Sequence, residues 1–219
     1  MMKKALIILS GGLDSTVLAH EVVANADCQL AALSFDYGQK HTRELACAST
    51  QAKLLGIKHT IVALPFINEL FNSALLSNSD AAIPHGHYED ESMKQTVVPN
   101  RNMIMLSIAA GVALSQDRST LYYGAHSGDH AIYPDCRADF VAAMQQALSL
   151  CDWQQIDLQV PFLHLDKPEI VRRGAALGVD FQQTWTCYTG GDQPCGKCGS
   201  CVERTEAFYA NGLKDPLVV

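Results

Sequence analysis

The segment Ser10-Gly11-Gly12-Leu13-Asp14-Ser15 constrains this chain more than any other. It follows an unbroken apolar run, Ala5-Leu6-Ile7-Ile8-Leu9, and opens into Thr16-Val17-Leu18-Ala19-His20, which has helical character. A buried strand, a glycine-rich turn and a helix N-terminus in that order build an anion site. The glycines let backbone N–H groups converge on phosphate oxygens, and the helix end adds unsatisfied donors and a positive dipole. The Walker pattern, which needs Gly-x-x-x-x-Gly-Lys-Ser/Thr, has no match. The plainer alternative is a tight turn in which Asp14 or Ser15 only caps a helix.

Apolar periodicity alternates strand and helix. Strands are expected at 4–9, 29–35, 59–64, 120–124 and 156–160, and helices at 15–26, 42–55, 101–115, 138–150, 167–177 and 200–210. Strands separated by helices predict an α/β, doubly wound, mostly parallel sheet of Rossmann-like type, with ligands at the carboxyl ends of the strands. The pattern weakens between Pro65 and Pro99, where polar residues and the charged run Glu89-Asp90-Glu91 suggest a long insertion or lid. Composition shifts toward Cys, Gly and Thr after Gly178, so residues 1–178 are expected to form the nucleotide-binding domain and 179–219 a small module packed on it.

Hydrophobic residues make up 48% of the 219 and charged ones 18%, which fits a buried core and excludes disorder. No stretch is expected to span a membrane, and the apolar run after Met1-Met2-Lys3-Lys4 is too short for an export signal. A soluble, cytoplasmic protein is expected. With 23 acidic against 16 basic residues the net charge is −7, and the longest basic clusters are Lys3-Lys4 and Arg172-Arg173. That balance disfavours a nucleic-acid substrate, which needs phosphate-neutralising side chains.

The eight cysteines divide in two. Cys28, Cys47, Cys136 and Cys151 are scattered, and the first two sit in apolar patterns expected of small buried hydrophobes. Cys187, Cys195, Cys198 and Cys201 form C-x7-C-x2-C-x2-C. Four thiolates at that spacing suit structural zinc with no coordination position left open. An iron–sulfur cluster also uses four cysteines, and disulfides conflict with a reducing compartment.

Three further segments carry chemistry. Val98-Pro99-Asn100-Arg101-Asn102 leads into an apolar helix, with Asn100 or Asn102 as its cap and Arg101 offering a bidentate fork to an anion, or simply exposed. The stretch 124–137 holds His126, Asp129, His130, Tyr133 and Asp135 after a strand end, where carboxylates and an aromatic suit an amidine-like heterocycle edge. Asp135 alternatively caps the next helix, and the two histidines are either acid–base groups or solvated. Asp36-Tyr37-Gly38-Gln39-Lys40-His41, with Glu44, lies near the same sheet edge. There Lys40 is a phosphate candidate and Asp36 a magnesium candidate, and Lys167 is a second phosphate candidate opening another helix.

The first segment resembles the pyrophosphate loop (PP-loop) of ATP pyrophosphatases, Ser-Gly-Gly-x-Asp-Ser. The whole pattern resembles one family of that superfamily, the 7-cyano-7-deazaguanine synthases. The shared motifs are Asp-Tyr-Gly-Gln-x-His, Val-Pro-x-Arg-Asn, Tyr-Pro-Asp-Cys-Arg, the lysine at 167, and Thr-Trp-x-Cys-Tyr ahead of the four cysteines. The resemblance spans Ala5 to about Tyr209, with no family motif between Leu70 and Gln95. It implies an adenine nucleotide alpha hydrolase-like fold and an ATP-dependent carbon–nitrogen ligase in queuosine biosynthesis. In that reaction 7-carboxy-7-deazaguanine is adenylated, attacked by ammonia to an amide, then activated again and dehydrated to the nitrile. It further implies ATP, Mg2+ and structural Zn2+, and a homodimer. ATP would be bound by Leu9, Ser10, Gly11, Gly12, Leu13, Asp14, Ser15, Thr16 and Asp36, with Asp14, Lys40, Arg101 and Lys167 catalytic. Arg101, Asp129, Tyr133 and Asp135 would hold the deazaguanine, and Cys187, Cys195, Cys198 and Cys201 the zinc.

Two other functions fit parts of the pattern. A tRNA sulfur transferase of the same superfamily would show salt-dependent tRNA binding. A zinc-stabilised ATP-binding adaptor would bind ATP without releasing pyrophosphate.

Overall fold

The computed structural model describes residues 2–87 and 91–218, so Glu89 and Asp90 of the charged run lie outside the described residues. Five parallel strands, β1 (Lys3–Ile8), β2 (Cys28–Asp36), β3 (Lys58–Ala63), β4 (Thr120–Tyr122) and β5 (Asp157–Gln159), form one sheet in the order β3-β2-β1-β4-β5. Ile7 is the centre of the register, opposite Ala32 on one side and Tyr122 on the other. β4 and β5 are three residues each, shorter than the expected 120–124 and 156–160, and Tyr123 and Gly124 beyond β4 line a cavity.

Alternation along β1 divides the core. Leu6 packs in one buried cluster with α4 (Arg101–Ser115) and α5 (Ala138–Leu148), through Leu106, Ala109, Met144 and Leu148. Ala5, Ile7 and Leu9 point the other way, toward α1 (Leu13–Asn25), α2 (Arg43–Leu54), α6 (Lys167–Ala176) and α7 (Gly199–Ala210). A period-two strand between two helix layers is what a doubly wound sheet requires. The chain runs outward from β1 to β3, then crosses back through α4 to β4. Strand order therefore reverses beside β1, and the Ser10–Ser15 loop leaves the sheet at that switch point.

The described residues between 65 and 99 are more ordered than the polar composition of the segment suggests. Pro65 opens a short helix, α3 (Pro65–Leu70), and a 3-10 turn spans Glu91–Thr96. Ile67, Leu75, Leu76, Met93 and Val98 are buried in the α4/α5-side core. These five are too irregularly spaced to show a period, yet each finds that core. By length and composition Glu91–Ser115 also passes for a membrane span, contrary to the expectation from sequence. It is broken between Thr96 and Arg101, where Asn100 is left-handed at φ 57°, and α4 packs Met105, Leu106, Ala109 and Ala113 into the core.

Candidate active site

The main cavity opens where β1 and β4 diverge. Ser10, Gly12, Leu13, Asp14 and Ser15 line one wall, Arg101 and Asn102 another, and Tyr123, Gly124 and Ala125 the exit of β4. Gly11 makes the loop possible. Its φ is +89°, and a Cβ there would lie 1.9 Å from the Glu44 carbonyl oxygen. Ser10 and Ser15 fasten the turn, with their Oγ atoms 3.0 Å apart and the Gly12 N–H donating to Ser10 Oγ at 3.2 Å. Gly12 is the N-cap of α1 and no side chain caps it, so Asp14 and Ser15 are not the helix caps of the plainer reading. Thr16 makes the first helical bond back to Gly12. The N–H groups of Leu13, Asp14 and Ser15 precede that bond and lack intrahelical acceptors, as at any helix start.

Above this loop lies a charged cluster drawn from four segments. Lys167, 5% exposed, donates from Nζ to Asp14 Oδ2 at 2.7 Å and lies 3.3 Å from Glu203 Oε2 of α7. Burial opposes its charge, but Asp14 and Glu203 outweigh burial and hold its pKa above the usual lysine value. Burial likewise pushes Asp14 up, and Lys167 and His126 reverse the balance and hold it below the usual value. Glu203 remains raised by burial despite Lys167. His126 is 1% exposed and accepts the Gly128 N–H at Nδ1, so its proton belongs on Nε2. That nitrogen stands 3.5 Å from Asp129 Oδ2 and 3.7 Å from Asp14 Oδ2, and His126 is therefore not a solvated loop histidine. Asp14 Oδ1 is buried without a hydrogen-bond partner among the described residues.

The opposite end of the cavity is aromatic, with Tyr37, His41, Trp185 and Tyr188 on its walls. The Arg101 guanidinium donates to Tyr37 Oη at 3.4 Å and sits 5.9 Å from that ring's centroid. Burial opposes its charge, but the Tyr37, Tyr133 and Tyr188 oxygens outweigh burial and hold its pKa above the usual arginine value. Glu44 lines this end too, and burial pushes its carboxyl up to about 7 although the Gln39 amide and Arg101 pull it down. His41 is driven down to about 3 by burial and Arg101, and is neutral.

Several residues singled out in the sequence are not cavity walls. Lys40 donates to the Ala81 carbonyl, and Asp36 accepts the Gly38 N–H in its own turn. Asp135 accepts the Asn102 N–H at 3.3 Å, so it serves the start of α4 rather than capping α5. It also does the work expected of Asn100 or Asn102, neither of which caps α4 by a side chain. Tyr133 lines the cavity, with its hydroxyl 2.7 Å from Thr96 Oγ1 and 3.3 Å from Tyr188 Oη. Leu9 and Thr16 are buried beneath the loop. Of the scattered cysteines only Cys136 is buried, while Cys28 and Cys47 are half-buried and Cys151 is exposed.

The four remaining cysteines converge. All four Sγ atoms lie within 4.8 Å of one another, and those of Cys195 and Cys201 are 4.0 Å apart. Thiolates tetrahedral about zinc at about 2.3 Å have sulfurs roughly 3.8 Å apart, so the donor set fits that ion. Gly196, at φ +68°, turns the chain between the second and third cysteines, and Cys198 is the N-cap of α7.

The profile of the queuosine biosynthesis protein QueC matches residues 4–212. The chain belongs to the QueC family. It is 52% identical to a 7-cyano-7-deazaguanine synthase from Methanoregula boonei over 98% of each chain. A second enzyme of that name, from Hahella chejuensis, is 51% identical over 98% of this chain and 92% of the other. Among solved structures, NMN synthetase from Francisella tularensis superposes with a TM-score of 0.54 at 14% identity, over 97% of this chain and 79% of that one. A predicted tRNA methyltransferase subunit from Methanocaldococcus jannaschii gives 0.51 at 13%, over 98% and 90%. At such identities the likeness concerns the fold alone. The near-full-length relatives make this chain an enzyme of the 7-cyano-7-deazaguanine synthase type.

Within this QueC-family site, sequence reasoning missed Glu203 and gave no role to Glu44. Glu203 lies two residues past the last cysteine, on the helix face turned toward Lys167. An acid directly after a cysteine set that docks against the sheet was the available signal.

Proposed function

We propose that this chain converts 7-carboxy-7-deazaguanine and ammonia to 7-cyano-7-deazaguanine, using ATP twice and releasing AMP and pyrophosphate. The observation that carries this reading is one cavity holding a phosphate loop with Lys167 at one end and Arg101 among aromatic rings at the other. A nucleotide and a planar acid have their separate recognition chemistries within reach of a shared reaction point.

The loop amides of residues 13–15 and Lys167 hold the β- and γ-phosphates. The substrate carboxylate attacks the α-phosphorus and pyrophosphate leaves, with Lys167 and Arg101 stabilising charge that develops on phosphoryl oxygens. Ammonia adds to the acyl carbon and AMP departs, leaving the amide and a proton. The amide oxygen is adenylated in turn. Loss of the N–H protons and cleavage of the C–O bond then give the nitrile and a second AMP. Tyr133 contacts the deazaguanine, while Asp129, paired with His126, faces the phosphate end. Asp14, whose Oδ1 lacks a partner among the described residues, fits a magnesium ligand, and the ion would neutralise phosphate charge. Asp36, turned to Gly38, does not fit that role. Cys187, Cys195, Cys198 and Cys201 hold a closed structural zinc. The reading includes a homodimer acting in the cytoplasm.

The sulfur-transferase alternative needs paired cysteines free to carry sulfur, and the exposed Cys151 does not line the cavity. The clustering of the four thiols as one mutual ligand set argues against it. The test is a mass-resolved assay with protein, Mg-ATP, ammonium and the acid. Nitrile formation supports the reading, a stop at the amide makes the chain an amide-forming relative, and an untouched acid with bound ATP overturns the substrate.

A further inference from the structure

The carboxylates expected to read the heterocycle are not all available to do so. Asp135 is engaged by the Asn102 N–H, and Asp129 belongs to the charged cluster beside His126 at the phosphate end. Among the described residues, the acids that line the cavity are Asp14, Asp129 and Glu44. Only Glu44 lies at the aromatic end.

Its local geometry is that of a held acceptor. Glu44 sits in the first turn of α2, directly behind Gly11, and its side chain is 12% exposed. Oε1 accepts the Gln39 amide at 2.9 Å and faces His41 Nε2 at 3.5 Å. Gln39 is fixed in turn, since its Oε1 accepts the Tyr37 N–H and its Nε2 also donates to the Phe35 carbonyl. The carboxylate is therefore anchored at one oxygen, and Oε2 has no hydrogen bond among the described residues. Burying such an acid costs stability unless a ligand completes its bonds.

We propose that Glu44 is the specificity-determining residue of the proposed reaction: its carboxylate accepts the ring N–H and the neighbouring exocyclic amine of the guanine-like substrate. The inference rests on the reading above and adds to it a residue for the amidine edge. A carboxylate can accept two parallel N–H bonds, and Tyr37 and Tyr188 line the same cavity. Arg101, at the same end, supplies a cation for the substrate's carboxylate. The buried acid's raised affinity for a proton agrees with a site awaiting donors.

The test compares wild type, Glu44→Gln and Glu44→Asp, with the acid and its analogue lacking the exocyclic amine. Glutamine keeps an oxygen for Gln39, which turns its own NH2 toward the substrate's N–H. Two charge-assisted hydrogen bonds are at stake, so the KM for the acid, and its Kd by calorimetry without ATP, should rise roughly ten- to hundred-fold in Glu44→Gln. The KM values for ATP and ammonium and kcat should stay within about threefold, a split that a loosened fold would not produce. Wild type should prefer the acid over the analogue, and Glu44→Gln should lose most of that preference, with Glu44→Asp between them. Unchanged acid binding and preference in Glu44→Gln overturn the inference, as does a rise confined to the ammonium KM. A wild-type protein that neither binds nor converts the acid overturns the parent reading and this inference together. Wild-type turnover with an unaffected Glu44→Gln overturns the inference alone.

Discussion

Lys167 Nζ lies 2.7 Å from Asp14 Oδ2, joining the first residue of α6 to the first turn of α1 at the floor of the cavity. Asp166 caps α6 by accepting the Glu169 N–H at 2.9 Å, which fixes the lysine's starting point. Lys167 is buried and Asp14 half-buried, with Glu203, Asp129 and His126 around them. One cation thus balances several acids.

Replacing Lys167 by alanine strands those carboxylates. Breaking one side of a buried ion pair typically costs about 3 kcal/mol or more. Removing one donor from a developing charge lowers rates roughly hundred- to thousand-fold. Denaturant unfolding should show the first loss and ATP–pyrophosphate exchange in the presence of the acid the second. Arginine at the same position should restore much of the stability. An alanine variant with wild-type exchange would remove Lys167 from the chemistry.

Much of this site was legible in the chain. Ser10-Gly11-Gly12-Leu13-Asp14-Ser15 follows a strand and opens a helix because backbone geometry and glycine placement are local properties. The four-cysteine spacing is local too. Glu203, Glu44 and His126 were not legible as partners, because their meaning arises from contacts across the fold, 36 residues from Glu203 to Lys167 and 112 from His126 to Asp14. Lys40 and Asp36 show the converse. They sit at the expected strand end, yet one neighbour, the Ala81 carbonyl or the Gly38 N–H, decides where each side chain points.

The buried acid at position 44 makes stability depend on pH. Its carboxyl is raised by burial to about 7, so the folded protein binds this proton more tightly than the unfolded chain does. The stabilising contribution is complete below the ordinary glutamate range and is lost as pH rises to about 7. Glu44→Gln should therefore match wild type near pH 4 and melt several degrees higher near pH 8. Equal melting temperatures at both pH values would show that Glu44 titrates normally.

The thiol cluster should be essential to the fold. Cys187, Cys198 and Cys201 are part of the same buried core as Leu6 and Leu106, so loss of a metal held there would open apolar packing against the sheet. Metal analysis should find one zinc per chain and no visible absorption from an iron–sulfur cluster. Stripping it with a strong chelator should lower the melting temperature by ten degrees or more, with activity falling in parallel. A metal-free protein of unchanged stability would make the cluster incidental.

Gly11 offers the sharpest test of the phosphate loop itself. A methyl group on its Cα would meet the Glu44 carbonyl oxygen at 1.9 Å and the Ala48 nitrogen at 2.7 Å, both backbone atoms of α2 that cannot rotate away. Its φ of +89° adds the strain of a left-handed conformation for any L residue. Gly11→Ala must push the loop off α2, which shifts the amides of residues 12–15 and moves Glu44 with its helix. ATP affinity should fall at least tenfold, and the acid should bind more weakly, because the two recognition ends share this one contact. Gly56→Ala is the control, since its φ is also positive, +65°, but a Cβ there meets nothing within 4 Å. It should cost only the conformational strain, about 1 kcal/mol, and leave both ligands' affinities unchanged. If the two variants behave alike, backbone strain rather than the approach of the loop to α2 governs this region.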